Sequence, residues 1–228
     1  MAIVVTLCLL LTAGCCWAAC LFLSVRKDGN HKKAFVYKGM AGLCFVIIGL
    51  ILALYRQGTA AWLIAFGLFF GLIGDELLAL RNVYPRRHDL YFCSGAVSFT
   101  VGHVLYMAAF FRFLEKPLFA ALPAFGVLLI ISCLYTVSQK VNTGKMKVSS
   151  LFYMAIVSFM CAMALCAATQ HHGIGTLMLF IGSFSFYISD NLLVTYTFSP
   201  RKTRKLNITL HIFYYLAQLL IGWSILFL

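Results

Sequence analysis

Three carboxylates stand where water is scarce. Asp75, Glu76 and Asp190 lie inside long apolar runs, whereas Asp28, Asp89 and Glu115 fall in polar connections. A charge at mid-membrane depth costs about 2.5–3.5 kcal/mol on insertion scales, so such an acid is a functional candidate by default. The competing explanation is an acid that hydrogen-bonds across helices to fix packing. Around the acids stand further groups able to donate or accept protons: His103 with Tyr106, and His211 with Tyr214 and Gln218. Lys38 opens the second apolar run and is expected to meet a lipid phosphate or to reach for the interface. Glu76 is about 100° round a helix from Asp75, so the two are not expected to face one point. Glycine and serine recur at helical spacing on the same faces: Gly67, Gly71 and Gly74, then Gly95, Ser98 and Gly102, then Gly182, Ser185 and Ser189. Small residues let helices approach closely and can leave room for a ligand.

The elements carrying these residues follow from the apolar runs. The chain has 228 residues, 63% hydrophobic and 11% charged, against about 25% charged in soluble domains. Runs of about 20 apolar residues, not alternating segments of about ten, select spanning helices over a barrel. Eight are expected, at 2–24, 37–55, 60–80, 91–113, 118–137, 148–168, 174–198 and 207–228. The fold class is all-α, a polytopic transmembrane bundle forming one domain over 1–228. The first run lacks a basic leader and is read as a true span. The nine cysteines form no C-x-x-C pair and read as small buried hydrophobes.

Charge orients the bundle. The formal net charge is +12. Fifteen basic residues belong to the odd-numbered connections, and three (Arg56, Arg112 and Lys116) to the even ones. The positive-inside rule puts the odd connections in the cytoplasm and both termini on the other side. The basic clusters serve orientation and anionic headgroups, and no nucleic-acid partner is expected. A bacterial inner (cell) membrane is the expected location, although an endoplasmic reticulum membrane would suit the same chain.

The pattern Ile-small-Asp-polar-Leu-Leu occurs twice, at Ile73–Leu78 and Ile188–Leu193, with a His-x-x-Tyr downstream of each, at His103 and His211. This predicts two parallel four-helix repeats, 1–114 and 115–228. Asp75 is six residues before Arg81, or about 9 Å along a helix, and Asp190 is nine before Ser199, or about 14 Å. Both belong to the cytoplasmic half, which suits chemistry at a lipid's glycerol region better than midplane transport.

No glycine-rich phosphate loop, H-E-x-x-H or G-x-S-x-G occurs. No metal or cofactor is expected, although two Asp and two His could hold a metal. GLIGDELLAL, then Gly95, Phe99, Gly102, His103 and Tyr106, then FYISDNLL, then YYLAQLL together resemble the lysoplasmalogenase (YhhN-like) family from the third helix to the eighth. That family usually has Lys-Pro at the start of its second helix, where this chain has Lys38 and Gly39. The resemblance implies hydrolysis of the vinyl ether bond of lysoplasmalogens, giving a fatty aldehyde and glycerophosphoethanolamine or glycerophosphocholine, with a lysophospholipid as substrate and membrane lipids as surroundings.

Chemistry independent of the resemblance fits. A vinyl ether is hydrolysed by protonation at carbon, then attack of water on the oxocarbenium ion. That needs an acid still protonated near neutral pH, as a carboxyl in apolar surroundings can be, and an anion to face the cation. Paired carboxylates do comparable work at glycosidic bonds. Asp75 and Asp190 are the expected catalytic pair, one giving the proton and the other stabilising the cation and guiding water. Lys38, His103, Tyr106, His211, Tyr214 and Gln218 are the expected substrate-binding or supporting residues. The rival classes are a proton-coupled transporter or channel, a metal-dependent lipid hydrolase, and a lipid-binding scaffold.

Overall fold

The computed structural model describes residues 1–115 and 118–228. Lys116, one of the three basic residues counted in the even connections, lies outside them. Among the described residues the chain forms eight long α-helices and no strand. They are α1 Ala2–Lys27, α2 His31–Arg56, α3 Thr59–Val83, α4 His88–Phe110, α5 Leu122–Ser138, α6 Lys147–Gln170, α7 Ile174–Phe198 and α8 Arg204–Ser224. Each, with its flanking 3-10 turns, is long and apolar enough to cross a bilayer. This is an integral membrane protein. In lipid the helix is the element that satisfies its own backbone, and large side chains such as Leu10, Trp17 and Leu134 lie exposed as the bilayer permits.

Local sequence sets the helix ends. Asn30 accepts the Lys33 amide at 3.1 Å and starts α2 six residues before the expected position. Gln57, at φ 52°, ends α2 in the left-handed region, and two residues separate α2 from α3. Thr203 caps α8 by accepting the Leu206 amide at 3.1 Å. A 3-10 turn over Pro85–Arg87 leads into α4.

The chain divides into two compact units, Met1–Tyr106 and Met107–Leu228. In the first, α2 packs between α1 and α3. Glycines bring α3 and α4 close. A Cβ on Gly67 would fall on the Tyr106 ring, and one on Gly102 would come 3.0 Å from the Gly67 carbonyl. In the second, α7 packs on α6 and α8. Tyr187 of α7 donates to the Leu128 carbonyl of α5 at 2.7 Å and accepts from Ser132 at 2.8 Å. The far end of α5 is tied to the end of α7 by Ser199 Oγ donating to the Gln139 carbonyl at 2.5 Å.

Candidate functional site

In the first unit the site is an ion pair between adjacent helices. Lys38 Nζ lies 2.7 Å from Asp75 Oδ1 and donates to the Asp75 carbonyl oxygen at 2.9 Å. Both residues are buried, each 4% exposed. The ammonium also sits 5.8 Å from the centre of the Phe22 ring of α1. Lys38 is therefore neither a helix start nor a snorkelling residue. Because α2 begins at His31, Lys38 stands two turns inside it, about 10 Å from the end, and must find a partner within the protein. A buried charge needs such a partner, since desolvating it alone costs several kcal/mol.

Glu76 also faces α2. A Cβ on Gly39 would come 3.5 Å from its Cδ and Oε1. Asp75 and Glu76, about 100° apart on α3, meet successive residues of α2, Lys38 and Gly39, so both look toward that helix without meeting the same residue. His103 is 1% exposed, and its ring lies between those of Phe99 and Tyr106, with centroids 6.4 Å from each. Phe99 rests on Gly74, one residue before the acid.

In the second unit Asp190, 2% exposed, accepts a hydrogen bond from the Tyr153 hydroxyl of α6 at 2.9 Å. Tyr153 escaped the sequence reading, since a tyrosine in an apolar helix carries no signal of its own. On the next helix, His211 Nδ1 donates to the Asn207 carbonyl at 2.7 Å. Gln218 Nε2 donates to Tyr214 Oη at 3.3 Å, and the Tyr214 ring meets Phe186 edge-on at 5.6 Å. All three are buried.

The two centres share a register. Lys38 is 37 residues before Asp75, and Tyr153 is 37 before Asp190. A step of 115 positions carries the first contact onto the second, and α3 onto α7 residue for residue, each 25 long. The same step carries Gly67 with Tyr106 onto Gly182 with Ile221, where a Cβ on Gly182 would come 2.8 Å from Ile221 Cγ1. It carries Gly74 with Gly95 onto Ser189 with Leu210, where the serine donates to the leucine carbonyl at 2.9 Å. The counterpart of His103 is then Gln218, not His211. The His-to-His comparison slips by seven residues, two helical turns on one face, which a motif of that kind does not resist.

Depth changes too. Arg81, taken as the basic boundary of α3, is buried beside Phe92, 5.5 Å from its ring centre, and α3 runs on to Val83. Asp75 and Asp190 each precede the last residue of their helix by eight positions, about 12 Å, instead of at unequal depths. Among the described residues no three of His, Cys, Asp and Glu cluster as metal ligands. The nine cysteines are free thiols.

Comparison with protein-family models finds a match to the YhhN family over residues 33–225. Comparison with curated proteins and with solved structures finds no match.

Proposed function

Starting from the fact that this chain belongs to the YhhN family, which includes lysoplasmalogenases, we propose that it is a membrane-embedded lipid hydrolase that cleaves the vinyl ether bond of lysoplasmalogens. The products are a fatty aldehyde and a glycerophosphoethanolamine or glycerophosphocholine. The basic connections that follow α3 and α7 are proposed to face the cytoplasm, so that a lysolipid enters from that leaflet.

The observation that carries this reading is the Lys38–Asp75 pair. Protonation of a vinyl ether creates an oxocarbenium ion, and the protein must meet that charge with an anion already in place. Asp75 is a carboxylate held on one oxygen by an ammonium at 2.7 Å inside an apolar bundle. Its other oxygen, Oδ2, is shielded from solvent and has no hydrogen-bond partner within the protein. A preorganised charge in a site of low dielectric is worth far more than the same charge in water. An aspartate already engaged by an ammonium suits the anion's part better than the acid's. Asp190, held by Tyr153, is proposed to guide the attacking water. His103, Tyr106, Tyr214 and Gln218 are proposed to support the two acids by packing and hydrogen bonding.

The test is incubation of the purified chain, reconstituted in liposomes, with labelled lysoplasmalogen. Stoichiometric release of free aldehyde is expected from the parent protein and not from Asp75→Asn. Folded parent protein that releases no aldehyde, or Asp75→Asn with full activity, defeats the proposal. A pH-driven flux across the liposome wall without aldehyde would favour the transporter instead.

A further inference from the structure

Glu76 has no task in this scheme, yet it sits in the same centre. Lys38 gives its ammonium to Asp75, on Oδ1 and on the backbone oxygen, and turns toward the Phe22 ring. Lys38 thus faces two carboxyl groups, and Arg26 of α1 is a second cation that acts on Asp75. Asp75 Oδ2 and Glu76 Oε1 are both shielded from solvent, and neither has a hydrogen-bond partner within the protein. Were both groups ionised, two charged carboxylates would each keep a shielded oxygen with nothing to accept. A proton on Glu76 lowers that cost, because a neutral carboxyl is cheaper to desolvate than a carboxylate.

The second unit supports this reading. The step that takes Asp75 to Asp190 takes Glu76 to Asn191, a neutral residue whose Oδ1 is likewise buried without a partner. The chain itself builds this position with an uncharged group. Among the described residues, the other charged or titratable groups around the pair are Arg26 of α1, which acts on Asp75, Cys15 of α1, which feels Asp75, and His103 of α4, one turn beyond the Phe99 that covers Gly74. Arg26 lies over the same Phe22 ring, 5.7 Å from its centre.

We infer that Glu76 is the proton donor of this centre, neutral in the resting protein, while Asp75 is the anion. Its catalytic part rests on the hydrolase reading; the protonation state does not. In the reaction the Glu76 carboxyl proton goes to the vinyl carbon β to the ether oxygen, and the alkene π pair forms the new C–H bond. The other vinyl carbon and the oxygen share the positive charge opposite Asp75. Water adds to that carbon and returns a proton to Glu76. The hemiacetal then breaks its carbon–oxygen bond to the glycerol, whose oxygen takes the hemiacetal hydroxyl proton. One water is consumed, and the carboxyl is restored.

The experiment uses the full chain in liposomes, with two readouts. Turnover of lysoplasmalogen by Glu76→Gln is expected to fall by about 10²–10⁴-fold, the usual contribution of a general acid. Glu76→Asn, which copies the second unit, is expected to fall likewise. In infrared spectra the C=O band of a buried protonated carboxyl is expected in the parent, absent in Glu76→Gln and present in Asp190→Asn. Parental turnover in either Glu76 variant overturns the inference, and so does a parent spectrum lacking the band or a band that survives Glu76→Gln. Should the parent release no aldehyde at all, the hydrolase reading falls and the spectra alone decide the protonation of Glu76.

Discussion

The two units put an aspartate at the same step of the same helix and hold it by different means. In the first, α2 supplies the ammonium of Lys38; in the second, α6 supplies the hydroxyl of Tyr153. The neighbouring residue differs in the same sense, Glu76 against Asn191. The first centre therefore pairs its acid with a charge, and the second pairs its acid with a neutral hydroxyl. The framework around them is shared down to Gly67 and Gly182. Charge, not architecture, separates the halves. Of the two, only the first places a second carboxyl, Glu76, beside its aspartate on the helix.

That contrast can be broken experimentally. The largest expected effect is on turnover. Asp75→Asn should lower the aldehyde release rate by about 10²–10³-fold, the loss typical of one preorganised electrostatic group. If Asp190→Asn leaves that rate unchanged, the second centre is structural and the chemistry belongs to the first alone. Next comes stability. Lys38→Met should cost about 3–5 kcal/mol in reversible unfolding, because it strands a buried carboxylate. The double variant Lys38→Met/Asp75→Asn should recover much of this; a double variant as unstable as the single one would show that the ion pair is not what Lys38 contributes. Smaller is the packing effect. Gly67→Ala should cost about 1–3 kcal/mol, since its methyl falls on the Tyr106 ring. Gly182→Ala should behave alike and Gly126→Ala should not destabilise, because nothing beyond its own helix backbone lies within 4 Å of the added carbon at Gly126. The smallest is Tyr153→Phe, which removes one interhelical hydrogen bond and should cost about 0.6–1.7 kcal/mol. A loss as large as that of Lys38→Met would mean that the second acid depends on its partner as strongly as the first.

The apolar runs made the eight helices legible, because a twenty-residue stretch without charge has few other uses. Ends governed by a cap were not: Asn30 starts α2 among basic residues that read as a loop. The acids were legible from their cost. Their partners were not, since Lys38 near a presumed helix start looks like an interfacial lysine, and Tyr153 looks like one more aromatic in lipid. The repeated Ile-small-Asp-polar-Leu-Leu already contained the step that leads from Lys38 to Tyr153. The downstream histidines obscured it, because a heptad shift keeps a residue on its face and hides the slip.

The tight hairpin of α2 and α3 has a consequence for how the protein is made. Lys38 and Asp75 are partners on two helices joined by Gln57 and Gly58 alone. A ribosome delivers the lysine first, and a solitary ammonium entering the bilayer meets an insertion penalty of about 2.5–3.5 kcal/mol. Release of α2 into lipid together with α3 avoids that penalty, because the two enter as a single neutralised unit. Loss of either residue then becomes a biogenesis defect, separate from any effect on turnover.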